Sequence, residues 1–327
     1  MAVVKANAYG HEIDLVAPAL YAEGCRTFAV TDAEEGAKLR HIIGDHASIV
    51  LLSGIFDHED AHLCSGLDLT PVATETFHLD WLHQAGFSGQ VWLKIDTGMQ
   101  RLGTADLEEL ITHASQLGIH ICGVMTHLAC ADEPEHPLNA LQFEHFRKAR
   151  QLLSEEMPAS ILNSAGIAAF AHEALDIARP GIALYGAEPI PQQPLGLKPV
   201  MSFVGKIIQI RDVKKGSTIS YGATYTASAN IRVALVSLGY ADGLPRLLSN
   251  LGSASAKGKM LPIIGRVCMD YCLLDVSHAK NLAYNDSVQF WGDEVPANEV
   301  ASLIGTIAYE LFTGINERVP RIGVNSP

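Results

Sequence analysis

Residues 90–126, QVWLKIDTGMQRLGTADLEELITHASQLGIHICGVMT, decide the fold class because they contain one complete strand–helix–strand unit. Apolar runs near 90–95 and 120–126 predict two buried strands. The segment between them, 104–117, carries apolar residues at the i, i+3, i+4 spacing of an amphipathic helix. Two strands of this length joined by a helix are typical of a parallel sheet.

The same alternation extends over residues 1–187. Eight repeats of this size predict a (β/α)8 TIM-type barrel. A doubly wound open sheet is the alternative, although no G-x-G-x-x-G motif follows the first strand to support it. The eight strand candidates lie near 2–5, 27–30, 48–53, 68–72, 90–95, 120–126, 159–163 and 175–179.

A proline-rich segment, PIPQQPLGLKP at 189–199, interrupts this rhythm and predicts a domain boundary. We therefore expect a barrel domain over 1–196 and a smaller, mostly β domain over 197–327. The second domain is predicted to hold one helix, at 297–310. Its strand candidates lie near 203–211, 231–238, 261–267, 271–276 and 287–291.

Composition excludes several classes of protein. The formal net charge of −13 argues against a nucleic acid or an anionic membrane as partner, since either would require a basic face. The six cysteines form no C-x-x-C pair, which is typical of reduced thiols in a cytoplasmic protein. No apolar run reaches transmembrane length, and no signal-peptide pattern opens the sequence.

Polar residues follow the predicted barrel strands at the point where each strand ends. In a TIM barrel this is the face on which active sites are built, so these side chains are expected to share one site. They are Lys5, Asp96 with Arg101, His127, Asn163 with Ser164, and Arg179.

Lys5 ends a buried apolar strand, where a charged ammonium is costly. Burial lowers the pKa of a lysine and favours the free amine that can form a Schiff base. A lysine that merely extends its amine to solvent at the barrel mouth is the alternative.

The segment around this lysine, AVVKANAYGH at 2–11, closely resembles the cofactor-lysine motif of alanine racemases, which are fold-type III enzymes dependent on pyridoxal 5′-phosphate (PLP). Further matches follow in the order of that family and cover both domains. They are KIDTGMQRLG (94–103), THLACADE (126–133), LNSAG (162–166), ARPGIALYG (178–186), SYGATY (220–225), LGYADGLPR (238–246), GRVCMD (265–270) and AYE (308–310).

The resemblance implies interconversion of L- and D-alanine by two bases, which supplies D-alanine for peptidoglycan. Lys5 would hold PLP as a Schiff base and act as one base, and Tyr221 would be the other. A hydrogen-bond chain from Tyr221 to His127 and then to Arg179 would favour the tyrosine phenolate. Arg179 would also donate to the pyridine nitrogen of PLP. No metal is implied.

The family also assigns binding residues and an assembly. The phosphate would be held after strands seven and eight, and Tyr221 and Met269 would reach the site from the partner subunit of a homodimer. Arg101 and Met269 would bind the alanine carboxylate. The cofactor-binding set implied by the resemblance is Lys5, Tyr9, Arg101, His127, Asn163, Ser164, Arg179, Gly181, Ile182 and Tyr309.

Other functions are discriminated by particular residues. A non-catalytic PLP-binding barrel protein would lack the second domain with Tyr221, and a fold-type III decarboxylase would carry an acidic residue in place of Arg179. A racemase of serine or of several amino acids stays open. His58-Glu59-Asp60-Ala61-His62 fits the H-E-x-x-H zinc motif, but no third ligand is evident and solvated helix residues explain it better.

The pattern departs from the family in three places. The family normally carries a segment before the lysine motif that supplies a helix of the barrel. Without it, we expect an exposed apolar flank along strands one and eight. Glu12 stands where glycine is usual, and Gln100 fills a variable position.

Overall fold

The computed structural model describes residues 1–324, which form two compact units. The first unit holds Met1–Leu184 with Pro189–Leu195, and the second holds Tyr185–Glu188 with the chain from Gly196 onward.

The first unit contains a parallel sheet whose seven strands follow one another in chain order, each paired with the next. This order is typical of a barrel wall and confirms the predicted fold class. The strands are β1 Ala2–Val3, β2 Thr27–Val30, β3 Ser48–Leu51, β4 Thr70–Ala73, β5 Gln90–Lys94, β6 His120–Met125 and β7 Ala159–Ser160.

The eighth position of the ring is filled by residues 177–180, which form single bridges rather than a continuous ladder. On one side the Arg179 N–H donates to the Leu162 carbonyl at 2.9 Å, and on the other the Val3 N–H donates to the Pro180 carbonyl at 3.0 Å. The predicted eighth strand is therefore a short segment hydrogen-bonded to both of its neighbours, and it closes the sheet on β1.

Helices connect the strands of this unit, and their ends follow from local capping. The helix predicted at 104–117 begins at Leu107, because the Asp106 carboxylate accepts the Glu109 N–H, and it ends before Gly118 in the left-handed conformation. The helices are α1 Ile13–Ala22, α2 Ala33–Ile43, α3 His58–Leu67, α4 Thr76–Gln84, α5 Leu107–Leu117, α6 Pro137–Arg150 and α7 Ser164–Ala169.

The second unit is built on a six-stranded antiparallel sheet with the order β13-β12-β15-β8-β11-β14, together with a two-stranded ribbon of β9 and β10. Phe203 stacks on Trp291 at 4.2 Å between ring centroids within its core. Its strands are β8 Phe203–Val213, β9 Thr218–Ile219, β10 Tyr225–Thr226, β11 Ile231–Val236, β12 Ser253–Ala256, β13 Lys259–Pro262, β14 Cys272–Asp275 and β15 Ser287–Trp291; its helices are α8 Ala297–Leu303 and α9 Ala308–Thr313.

Two predictions for this unit were wrong, and a glycine explains each. The strand expected over 261–267 is β13, which ends at Pro262. Ile263 and Ile264 still pair singly with β14, and Gly265, with a φ of 72°, ends the extended backbone. The helix expected over 297–310 is two helices, because Gly305 with a φ of 74° breaks it.

Within residues 1–324, no helix combines the length and the apolar character that crossing a membrane requires.

Candidate active site

The structure brings the polar residues of the first unit together at the carboxyl ends of its strands. Lys5 follows β1, Asp96 and Arg101 follow β5, His127 follows β6, and Arg179 lies in the eighth segment. The cationic side chains are close enough to lower one another's pKa, as the effects of Arg101 on Lys5 and of Lys5 on His127 indicate. These residues therefore share one cluster.

Lys5 opens a turn of unusual backbone conformation. Ala6, Asn7, Ala8 and Tyr9 all have φ between 52° and 55°, although none is glycine. The left-handed conformation costs L-residues roughly 1–2 kcal/mol each, so surrounding contacts must impose it. One such contact is the hydrogen bond from the Ile13 N–H to the Asn7 side chain at 3.0 Å.

The Lys5 amine lies in an environment that favours its neutral form. Burial and the neighbouring Arg101 guanidinium lower the pKa of Lys5, while the Glu35 carboxylate raises it by a smaller amount. A lysine of lowered pKa is a better nucleophile and a better base at neutral pH.

Arg179 is buried and hydrogen-bonded to groups at the ends of β6 and β7. Its guanidinium donates to the Ser160 hydroxyl and to the Thr126 carbonyl, and it also lies 3.3 Å from His127 Nδ1. Burial lowers the pKa of Arg179 to about 10, so the group remains charged at neutral pH.

His127 is neutral because of its surroundings. Burial, and then the charge of Arg179, hold the pKa of this imidazole well below its usual range. Since arginine has only donors, His127 Nδ1 must accept from it, and the single ring proton of the neutral imidazole then lies on Nε2. His127 thus offers an N–H donor on the side away from Arg179.

A buried polar network supports these two residues. The Gln142 amide, on α6, donates to the Thr97 hydroxyl at 3.0 Å and to the His127 carbonyl at 2.9 Å. The Thr97 and Thr126 hydroxyls are 2.8 Å apart. The network ties the loops after β5 and β6 to each other, and Thr126 connects it to Arg179.

Asp96 organises the loop that carries Arg101. Its carboxylate accepts the backbone N–H groups of Gly98, Gln100 and Arg101 at 2.8, 3.1 and 2.9 Å. Burial alone would raise the pKa of Asp96, but these hydrogen bonds outweigh that effect and lower it. The loop is therefore held in a fixed conformation by an ionised carboxylate.

The segments after β7 and after the eighth segment form a cradle of hydroxyls, backbone N–H groups and a glycine. The Ser164 hydroxyl accepts the N–H of Gly181 at 2.8 Å and of Ala183 at 3.3 Å, and Asn163 caps α7 through the Gly166 N–H. A Cβ atom on Gly181 would lie 2.5 Å from the Tyr9 hydroxyl, so only glycine allows this close approach.

The donor set of the cluster fits a phosphate ester that carries an aldehyde. Lys5, Lys94, Arg101 and Arg179 give the cluster a surplus of positive charge, although the chain as a whole is acidic. Backbone N–H groups and hydroxyls bind phosphate, and a primary amine condenses with an aldehyde. No group of three or more His, Cys, Asp or Glu side chains suited to a metal ion occurs within residues 1–324.

Three further residues that the sequence predicts for the site lie in the second unit. Tyr221 and Met269 occupy loops that contact each other, since the Ser220 hydroxyl donates to the Arg266 carbonyl at 2.7 Å. The side chains of Tyr221 and Met269 are 71% and 53% exposed. Tyr309 is partly buried in α9.

Sequence reasoning missed several residues that contact the cluster. Ser160 and Thr126 are polar residues in apolar runs, and that position in the sequence could have marked them as buried and hydrogen-bonded. Gln142 gave no signal, because it lies in the polar sequence PLNALQFEHFRKAR. Glu35 gave no signal, because an acidic residue in the first turn of a helix is ordinary.

Two protein-family models match most of the chain. The alanine racemase N-terminal domain family matches residues 1–189, and the alanine racemase C-terminal domain family matches residues 200–323.

Individual relatives match nearly the whole chain. The catabolic alanine racemase of Agrobacterium fabrum is 41% identical over 98% of this chain and 84% of its own length, and the alanine racemase of Marinobacter nauticus is 39% identical over 98% and 91%. The crystal structure of the Bartonella henselae alanine racemase, which has covalently bound pyridoxal phosphate, is 33% identical with a TM-score of 0.90 and covers 98% of this chain and 91% of that one. The chain therefore belongs to the alanine racemase family of PLP-dependent enzymes.

Proposed function

We propose that this protein interconverts L- and D-alanine on PLP, with Lys5 and Tyr221 as the two bases. The observation that carries the proposal is the position of the Lys5 amine in one cluster with Arg101, His127 and Arg179, at the end of the barrel where enzymes of this fold act. When bound, PLP supplies an electron-withdrawing ring that makes the Cα proton of an attached amino acid acidic.

Several groups of the first unit would hold the cofactor. Lys5 would bind it covalently, and the Arg179 guanidinium would donate to its ring nitrogen. Because Arg179 is charged and cannot release a proton readily, the ring nitrogen would stay unprotonated. The remaining residues proposed to contact the cofactor are Tyr9, Arg101, His127, Asn163, Ser164, Gly181, Ile182 and Tyr309.

The chemistry of this chain's own residues is proton transfer at Cα. Removal from one face and return to the other require two bases on opposite sides. Lys5 suits one face because its pKa is lowered by burial. A phenol such as Tyr221 is a weak base unless a donor stabilises its phenolate, and the N–H that remains on His127 Nε2 is a donor suited to that task.

We further propose a homodimer in which Tyr221 and Met269 complete the site of the partner subunit, with Met269 and Arg101 binding the substrate carboxylate. The high exposure of Tyr221 and Met269 supports this proposal, because large apolar side chains left in solvent are typical of an interaction surface. Residues 1–196 would provide most of the cofactor contacts, and residues 197–327 would contribute Tyr309 and the second base. A role in the cytoplasm, supplying D-alanine for peptidoglycan, completes the proposal.

Two substitutions test the assignment of the bases. Lys5→Ala is expected to abolish both racemisation, measured by optical rotation, and the borohydride-sensitive absorbance of the bound cofactor. Tyr221→Phe is expected to keep the absorbance but lose racemisation. In deuterated water it should still exchange the Cα proton of one enantiomer, because one base remains on one face.

Tyr284→Phe is the matched control, since Tyr284 is a comparably exposed tyrosine of the same unit and should leave the rate unchanged. A Tyr221→Phe enzyme that racemises alanine at the wild-type rate would rule out the two-base assignment. The same assays with L-serine decide between strict alanine specificity and a broader range.

A further inference from the structure

Glu35 occupies a position in its helix from which it reaches two other segments of the barrel. It is the third residue of α2, whose first turn is capped by Asp32, and the Asp32 carboxylate accepts the Glu35 N–H at 3.0 Å. A glutamate at this position commonly folds back onto the backbone N–H of the capping residue itself. The Glu35 side chain instead accepts hydrogen bonds from two other residues.

The Glu35 carboxylate bridges the ends of two neighbouring strands. One oxygen accepts the N–H of Ala6 at 2.6 Å, and the other accepts the N–H of Thr31 at 2.8 Å. Thr31 directly follows β2, and Ala6 directly follows Lys5. The carboxylate therefore binds the peptide group that joins Lys5 to Ala6 and connects it to the end of β2.

This contact acts where the backbone most needs support. Ala6 is the first of four consecutive non-glycine residues with positive φ, so the turn begins at the residue whose N–H Glu35 holds. A charge-assisted hydrogen bond to a carboxylate is about twice as strong as a neutral one and can offset part of the cost of a left-handed residue. Without this hydrogen bond, the turn would relax, and the Lys5 side chain would extend from the backbone in a different direction.

We propose that Glu35 is a positioning residue for Lys5, and that its bridge between the Lys5–Ala6 peptide and the end of β2 fixes the direction from which the Lys5 amine enters the site. This inference rests on the role proposed for Lys5. Glu35 also contributes charge, because it opposes the lowering of the Lys5 pKa by burial and Arg101. The other charged or titratable groups coupled electrostatically to Lys5 are Lys94 and His127.

Three variants separate the hydrogen bonds from the charge. Glu35→Gln keeps the size of the side chain and one acceptor but places an NH2 group against the second N–H. Glu35→Asp keeps the charge but shortens the reach, and Glu35→Ala removes both. Glu34→Gln is the matched control, since Glu34 is an exposed carboxylate in the same first turn.

We expect Glu35→Gln and Glu35→Ala to lower kcat for alanine racemisation by on the order of tenfold or more, with a smaller change in KM, because a displaced base slows the chemical step. Glu34→Gln should match the wild type. The second measurement is labelling of Lys5 by an amine-specific reagent in the cofactor-free full chain, read by mass spectrometry. Loss of the Glu35 charge lowers the Lys5 pKa further, so Glu35→Gln should label faster at neutral pH, while Glu35→Asp should label near the wild-type rate.

Wild-type kcat and wild-type labelling in Glu35→Gln would overturn the proposal. A reduced kcat with unchanged labelling and a lower unfolding midpoint would also overturn it, since Glu35 would then serve only the stability of the barrel. If Glu35→Ala does not fold, the Gln and Asp variants decide. If the wild type does not racemise alanine, the proposed function fails, whereas the labelling comparison still decides whether Glu35 governs Lys5.

Discussion

Glu12 has a backbone conformation that its side chain opposes. Its φ is 76° and its ψ is 107°, a region that L-residues rarely adopt and glycine adopts readily. Its backbone is nonetheless engaged, because the Glu12 N–H donates to the Asn7 carbonyl at 3.1 Å and its own carbonyl accepts from the first turn of α1. We therefore expect Glu12→Gly to stabilise the protein.

The size of the effect follows from three opposing contributions. Relief of the strained conformation is worth about 1–3 kcal/mol. Against it, a glycine loses about 0.5–1 kcal/mol more conformational entropy on folding. The Glu12 carboxylate is 3.6 Å from the half-exposed Lys38 ammonium, which also pairs with Asp14 at 3.1 Å, so its loss costs about 0–1 kcal/mol. The free energy of unfolding should rise by about 1 kcal/mol.

Urea unfolding of the cofactor-free chain measures this change without a contribution from ligand binding. Glu12→Ala is the matched control, because it removes the same carboxylate and keeps a Cβ atom at positive φ. Glu12→Gly should therefore exceed Glu12→Ala in stability by more than it exceeds the wild type. If the glycine variant is no more stable than the alanine variant, the argument from backbone strain is wrong.

Two further predictions concern Lys94 and Gly181. Burial lowers the pKa of Lys94 from 10.5 to about 8, so between these pH values the unfolded chain binds a proton that the folded chain does not. The free energy of unfolding of the wild type should therefore rise with pH across this window by up to about 3 kcal/mol relative to that of Lys94→Met. Urea unfolding at several pH values measures this difference, and parallel pH profiles of the two proteins would contradict the prediction. Gly181→Ala places a Cβ atom 2.5 Å from the Tyr9 hydroxyl and should weaken PLP binding about 10- to 100-fold in a spectroscopic titration. Gly66→Ala is the control, because no atom lies within 4 Å of its new Cβ, and it should bind PLP like the wild type. Equal PLP affinities of the two variants would show that the cradle is not at Gly181.

Periodicity predicted the first unit well because its signals are local. Each strand from β2 to β6 is a buried apolar run bounded by polar residues, and the ends of parallel strands meet at one edge by geometry alone. The eighth segment was placed correctly but its form was not. Residues 177–180 are held by single hydrogen bonds to two neighbours that are distant in sequence, and no local pattern reports such bonds.

The second unit was less predictable because small residues and glycines decide it. β12 has the sequence SASA, which carries no β-branched or aromatic residue to mark a strand, and it forms because β13 and β15 pair with it. Gly265 and Gly305 interrupt apolar runs that read as continuous. In both cases the conformation of a single backbone position outweighs the hydrophobic pattern around it.

The turn after Lys5 could not have been predicted, since Ala6 and Ala8 have no preference for the left-handed conformation and Asn7 alone would mark only a single residue. Glu35, which lies 29 residues from Ala6, is one of the contacts that hold it there. Local sequence therefore identified the lysine, but only the long-range contact explains how its amine is aimed.

The protonation states of the cluster follow from the relative pKa values of its basic groups, of which Arg179 has the highest. All four basic groups, Lys5, Lys94, His127 and Arg179, are penalised by burial, but a guanidinium starts from the highest pKa and keeps its proton. Its charge then adds to the lowering of the pKa of Lys94 and His127. One permanent cation thus helps to keep His127 neutral and lowers the proton affinity of Lys94. The fixed charge needed to hold a cofactor and the neutral groups needed to move a proton therefore arise from the same arrangement of buried residues.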